Sequence, residues 1–182
     1  MAAATDEQLA QQLQYGDRAA LAALVERHYD LLLGYLYRLA SGDRSLAQDL
    51  AQETFLHALR GIAGYTYPRP FKPWLYAIAT NLARNHYKRA DTRYTDSADE
   101  DFDLVTDDAL PEDAALTNDE ARTVAKALAA LPEHQREVVV LYYYQELALA
   151  DIAAALEIPL GTVKSRLSIG LRRLRTIMEK QA

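Results

Sequence analysis

Residues 147 to 175, LALADIAAALEIPLGTVKSRLSIGLRRLR, leave this chain few ways to fold. Leu149, Ile152, Ala153 and Leu156 mark one side of a short helix, and the small Ala153 lets a second helix cross close to it. Ile158 plugs the corner between them. Pro159 forbids continuation of the first helix and presets φ for the second, along which Val163, Leu167, Leu171 and Leu174 recur at helical spacing. With that face pinned inward, the opposite one offers Thr162, Lys164, Ser165 and Arg166 near the helix start and Arg172, Arg173 and Arg175 beyond. These are donors for base edges and phosphates. An ordinary helical hairpin with a solvated basic face would share the apolar frame, but the turn chemistry favours a DNA-reading helix-turn-helix.

The formal net charge of −6 runs against nucleic-acid binding until the charges are placed along the chain. Residues 91–120 hold twelve acids against Arg93 alone, so that segment carries −11 and the other 152 residues sum to +5. Residues 61–89 contain Arg69, Lys72, Arg84, Lys88 and Arg89 and no acid; residues 159–182 contain six bases and only Glu179. Two basic patches therefore bracket an acidic strap. The strap has few large apolar residues and no sustained period, so it cannot bury enough surface to offset its ordering entropy and is expected to be a flexible linker. Besides a plain solvated loop, its acids suggest a competitor for the basic patches, or a segment seated in a partner's basic channel.

On either side of the strap, apolar residues recur at three and four, which predicts an all-α protein: two small helical bundles, at 1–93 and 118–182, joined by an acidic linker at 94–117. In the first bundle, helices are expected at 6–15, 17–39, 45–59 and 74–88. The third turns Leu46, Leu50, Phe55, Leu56 and Leu59 inward and Asp49, Gln52 and Glu53 outward. In the second, helices are expected at 120–131 and from Pro132, at the first helical position, to 144, ahead of the helix-turn-helix. Tyr142, Tyr143 and Tyr144 fall about 100° apart, so they cannot all face one core. The basic stretch with Tyr65, Tyr67, Arg69, Phe71, Lys72, Trp74, Tyr76 and Tyr87 has the character of a single-strand platform, with rings for stacking and cations for phosphates. Trp74 is the exception in that stretch, since a Trp within an apolar helix is more often core.

Cysteine is absent and the four histidines are far apart in sequence, so no metal site or cofactor is expected. Neither a Gly-rich phosphate loop nor a nucleophile elbow is present, which argues against an enzyme. The N-terminus lacks the pattern of a secretory signal and no run reaches the roughly 18 apolar residues of a membrane span; the expectation is a cytoplasmic protein without membrane insertion.

Taken in order, AQDLAQETFL at 47–56, WLYAIATN at 74–81, LPEHQREV at 131–138 and GTVKSRL at 161–167 resemble the extracytoplasmic-function (ECF) sigma factors, the smallest members of the sigma-70 family of bacterial RNA polymerase subunits. The first is similar to region 2.2, the second to region 2.3 into 2.4, and the last two to region 4. The resemblance implies a function in promoter-specific initiation. Asp49, Gln52 and Glu53 would dock on the β′ clamp helices of core polymerase, whose β flap is a further implied contact. Arg69, Lys72, Trp74, Asn81, Arg84, Asn85, Lys88 and Arg89 would capture the melted −10 element. Gly161, Thr162, Lys164, Ser165, Arg166, Arg172 and Arg173 would read the −35 element as duplex, and an anti-sigma factor is an implied partner.

Three residues depart from the family pattern. Glu157 stands where the turn usually has Gly, costing about 1 kcal/mol if left-handed; Ala148 replaces a capping Ser, forfeiting about another 1 kcal/mol; Gly170 weakens the second helix. Two other functions fit parts of the chain: a self-sufficient helix-turn-helix regulator, which leaves the first bundle unexplained, and a sigma-like protein that binds polymerase without initiating. The strap is directly testable. Deleting its acids should strengthen duplex binding by the free chain in a gel-shift titration, and unchanged binding would remove the competition.

Overall fold

The computed structural model describes residues 3–94 and 118–181, and all regular structure among them is helical. The acidic linker expected at 94–117 lies almost wholly outside those residues. Local chemistry sets the helix starts. Thr5 and Gln8 form a reciprocal capping box at α1 (Asp6–Gln14). Asp17 accepts from the Ala19 amide at α2 (Arg18–Leu39), and Asp43 from the Leu46 amide at α3 (Arg44–Gly61), each at 2.9 Å. Between α2 and α3 the chain reverses through Ser41 and Gly42, with φ of 53° and 92°. A single 3₁₀ turn, Ile62–Gly64, leads through a loop to α4 (Phe71–Tyr94). This helix starts three residues earlier than expected because Pro73, in the first turn, has no intrahelical partner to lose.

The second bundle comprises α5 (Asn118–Ala129), α6 (Glu133–Tyr143), α7 (Leu149–Leu156) and α8 (Leu160–Gln181). Pro132 is the cap of α6, with φ −53° and ψ 141°, rather than its first helical residue. Glu157 is left-handed, at φ 54° and ψ 43°, and its amide donates to Ala153 O; Ala148 supplies no side-chain cap. Both departures thus carry the small penalties expected of them, and α7 depends on tertiary packing to stay folded.

The bundles are packed together. α2 touches α5 and α6, α4 touches α7, and one apolar core runs from Leu24, Leu32, Leu36, Leu75 and Ala79 into Leu128, Val138, Leu141, Ile152 and Val163. Burying each large side chain is worth roughly 1.5–3 kcal/mol. Tyr142 and Tyr143 are exposed, while Tyr144 lies beneath the Arg38 guanidinium, 3.8 Å from its ring centroid. Leu56 and Leu59, expected inward, are 51% and 39% exposed.

Gly170 has a packing role that its helix propensity conceals. A Cβ there would lie 3.0 Å from Val139 Cγ2 and 3.4 Å from Gln135 Cβ, so the missing side chain is what lets α8 rest on α6. Gly170→Leu should therefore destabilise the protein by about 1–3 kcal/mol through overpacking, even though Leu is the better helix former. Thermal unfolding followed by circular dichroism would measure it; an unchanged or raised midpoint would mean that the α6–α8 contact is looser than described.

Candidate nucleic-acid interface

The start of α8 is built for exposure. The amides of Thr162 and Val163 both donate to Pro159 O, and Val163 is fully buried, which fixes the rotation of the helix. At 100° per residue, Gly161, Lys164, Ser165, Ser168 and Arg172 then fall on one narrow strip, and all five are exposed. Ser168 was not singled out from the sequence, although its spacing from Lys164 and Ser165 was available. Thr162 and Arg166 flank the strip, half-buried. The Ser165 hydroxyl donates to Thr162 O at 3.1 Å, leaving its lone pairs outward. Arg173 departs from the expected DNA face: its Nη1 donates to Gln135 Oε1 at 3.3 Å, tying it to α6. Farther along, Arg172, Arg173, Thr176, Ile177 and Lys180 line a shallow basic cleft.

The aromatic platform expected around α4 is largely core. Phe71 and Tyr76 are fully buried, Tyr65 nearly so, and of the loop rings only Tyr67 is well exposed. Trp74, half-buried, sits edge-on to Tyr65 at 5.3 Å and tilted on Phe71 at 5.7 Å, so it belongs to an aromatic cluster that anchors the loop. The Tyr65 hydroxyl donates to Arg69 O, and burial pushes that phenol up to about 12. The Tyr87 hydroxyl donates to Leu39 O at 3.2 Å; its pKa is likewise pushed up to about 12 by burial. Tyr76 packs edge-on to Tyr35 at 5.0 Å, and the Tyr35 and Thr80 hydroxyls are 2.7 Å apart. The core these rings fill is assembled from α2 and α4. Phe71 and Tyr87 lie beside cations in sequence and give no local sign of it, whereas Tyr76 stands in the apolar run LYAIA.

The polar residues of α4 divide into two groups. Asn81, Asn85, Lys88 and Arg89 recur along one exposed face, and Arg69 is exposed in the loop before the helix. Lys72 and Arg84 turn toward the second bundle. Lys72 Nζ donates to Gln145 O at 2.6 Å, and Arg84 binds Glu137 through Nε and Nη2 at 2.7 and 2.5 Å. Those hydrogen bonds raise the Arg84 pKa further above its already high value.

On α3, Asp49, Gln52 and Glu53 share one exposed face, as expected, with His57 near Glu53 one turn on. What the sequence reading missed is the apolar continuation of that face. Leu56 falls about 20° from Asp49 around the helix, and Leu56 and Leu59 join Gln52, Phe55, Leu21, Val25 and Tyr29 in an open groove between α2 and α3. A helical projection registered on the polar trio would have found it.

Among the described residues, no group of three histidines, cysteines or carboxylates could hold a metal ion, and no helix is long and apolar enough to cross a membrane. One bundle thus carries an exposed basic strip on a helix-turn-helix, the arrangement of a DNA-binding protein, and the other carries a polar α4 face and an open groove beside α3. Residues 24–93 match the family model for Sigma-70 region 2, and residues 127–176 the one for Sigma-70, region 4. The ECF RNA polymerase sigma factor SigW of Bacillus subtilis is 36% identical over 172 residues, covering 90% of this chain and 91% of SigW. The RNA polymerase sigma-H factor of Pseudomonas aeruginosa is 35% identical over 170 residues, covering 89% and 88%. CnrH, solved in complex with the cytosolic domain of CnrY, superposes with a TM-score of 0.74 over 97% of this chain and 99% of CnrH at 23% identity. The sigma factor RpoE, solved with the anti-sigma factor NepR from Bartonella quintana, gives 0.68 over 85% and 94%, also at 23% identity. At that identity both likenesses speak to the fold. The chain belongs to the ECF RNA polymerase sigma factors.

If Lys164 contacts a phosphate, Lys164→Ala should weaken duplex binding on all sequences alike and reduce the log–log salt slope by about 1. Fluorescence anisotropy across a salt series would measure it; an unchanged slope would take Lys164 off the DNA backbone.

Proposed function

We propose that this protein binds bacterial core RNA polymerase and directs promoter-specific initiation, with residues 1–93 holding core and the −10 element, 94–117 serving as linker and 118–182 reading the −35 element. The observation that carries the reading is the pairing, in one chain, of a duplex-sized basic strip on α8 with a second polar face on α4, carried by separate bundles. A stand-alone regulator needs only the first. The α3 face, Asp49, Gln52 and Glu53 with the Leu56–Leu59 groove beside it, is the core-docking surface: an apolar centre supplies the affinity and a charged rim the orientation. Gly161, Thr162, Lys164, Ser165, Arg166 and Arg172 face the −35 duplex. Asn81, Asn85, Lys88 and Arg89, with Arg69, face the −10 strand, whereas Lys72 and Arg84 are engaged by Gln145 and Glu137. The protein works in the cytoplasm, has no catalysis of its own, and is held in reserve by an anti-sigma partner.

Transcription with and without purified core, on fragments from upstream of its own gene, tests this. Initiation at a defined start should require both components, and Leu56→Asp should weaken core binding about tenfold or more while sparing duplex binding by the free chain. Tight, specific binding by the chain alone, with no start conferred on core, would make it a free-standing regulator.

A further inference from the structure

The first helix, α1, takes no part in either exposed basic surface, yet its polar side chains reach the loop that carries Arg69. Its first turn is tied to α2: Asp6 accepts from Arg27 Nη1 at 2.9 Å and lies 2.8 Å from His28 Nε2. Leu9, Ala10 and Leu13 bury its inner face. From this fixed base, the Gln14 amide nitrogen donates to two main-chain carbonyls, Ile62 O at 2.7 Å and Tyr65 O at 2.5 Å. Those carbonyls bracket the 3₁₀ turn after α3, whose own hydrogen bond runs from the Tyr65 amide to Ile62 O at 3.0 Å. Glu7 Oε1 accepts from the Phe71 amide at 3.1 Å, at the first residue of α4. Glu7 and Gln14 lie two helical turns apart, so they share one face of α1 at a spacing of about 10 Å. Between them they hold both ends of the loop 66–70.

The loop is stitched from within as well. The Arg69 amide donates to Thr66 O at 2.8 Å, and the Tyr65 hydroxyl donates to Arg69 O. What remains outward is Tyr67, 42% exposed, and the Arg69 side chain. One ring and one cation are the groups that stack on a base and meet a phosphate.

We propose that Gln14 and Glu7 are positioning residues for single-strand recognition: from α1 they fix the two ends of the loop 66–70, so that Tyr67 and Arg69 meet the strand already ordered. A loop with anchored ends pays its ordering entropy on folding rather than on binding. Gln14 suits that task because one planar amide spans two carbonyls, and because it is neutral and half-buried it adds no phosphate contact of its own. Glu7 is likewise half-buried, with a carboxylate oxygen turned to the start of α4. The role rests on the assignment of Arg69 and its neighbours to the −10 strand, and extends that site to two residues far from it in sequence.

The full chain bound to core polymerase provides the test, with a fluorescein-labelled fragment from upstream of the gene whose −10 segment is held unpaired by mismatches. The same fragment with that segment scrambled is the reference. Gln14→Met keeps the length of the side chain and removes its donors. It should cut the preference for the native over the scrambled strand by about tenfold, since apparent affinity scales with the fraction of protein whose loop is competent. Duplex binding by the free chain should not change. Glu7→Leu should repeat the loss, whereas Glu7→Gln, which keeps an acceptor for the Phe71 amide, should retain the wild-type preference. Tyr67→Ala with Arg69→Ala should lose the preference too, and adding Gln14→Met to that pair should cost nothing more, because all three act through one loop. Equal weakening on both strands, or an additive loss in the triple variant, would make Gln14 merely structural and overturn its positioning role. Wild-type preference in Gln14→Met or Glu7→Leu, with loss in the Tyr67 and Arg69 pair, overturns the two-ended anchoring alone. Wild-type preference in that pair overturns the assignment of this loop to the −10 strand itself.

Discussion

A side-on ion pair between Arg84 and Glu137 joins a helix of the first bundle to one of the second and helps set how the two bundles meet. Glu137 is almost wholly excluded from water, and a carboxylate in that position needs both its charge and its lone pairs met. One guanidinium does both. Because the fork is planar, the pair constrains rotation as well as distance between α4 and α6, while Arg136 on α6 reaches the end of α2, on which α6 packs. There the Arg136 guanidinium caps the last turn of α2, where the helix dipole favours a cation. Burial lowers its pKa, but not enough to remove the charge.

Around that join, each long helix commits one face to the core and leaves another exposed. α3 buries Leu50, Ala51, Thr54 and Phe55 and leaves the Asp49–Glu53 face with its leucine groove. α4 buries Leu75, Tyr76, Ala79 and Ala83 and leaves Asn81, Asn85, Lys88 and Arg89. α8 buries Val163 and, through Gly170, lies against α6, which holds its opposite strip outward. The exposed surfaces are therefore consequences of core packing: a one-residue turn that brought Glu53 to the place of Thr54, Arg84 to that of Ala83 or Lys164 to that of Val163 would bury a charged side chain.

How much of this was legible follows from how local each feature is. The helix-turn-helix was readable because its signals, Ala153, Pro159 and the leucine spacing, fall within one supersecondary unit, and the left-handed Glu157 was readable from its place in the turn. The Asp49, Gln52 and Glu53 face was readable from helical periodicity alone. Leu56 and Leu59 were misassigned by a one-way rule: most buried residues are apolar, but many apolar residues are exposed. Tyr65 and Phe71 were misassigned for the converse reason, since a polar or basic sequence context says nothing about a core built from distant helices; Tyr76, in an apolar run of α4, carried a local sign of its burial. The Arg84–Glu137 pair spans 53 residues, and nothing around Glu137 distinguishes it from a surface acid. The strap, which carried most of the charge argument, lies outside the described residues.

Charge placement divides the exposed basic surface unequally between the bundles. Counterion release rewards phosphate contacts regardless of sequence, so what an exposed cation can do depends on where the fold holds it. On α8, Val163 fixes the rotation that keeps Lys164 and Arg172 outward. On α4, Lys72 donates to Gln145 O and Arg84 pairs with Glu137, which leaves Arg89 on the exposed face with Asn81, Asn85 and Lys88. Two cations that the sequence groups with the rest of the first basic patch are therefore structural in this arrangement, and the patch that the charge count suggests is smaller on the surface than in the sequence.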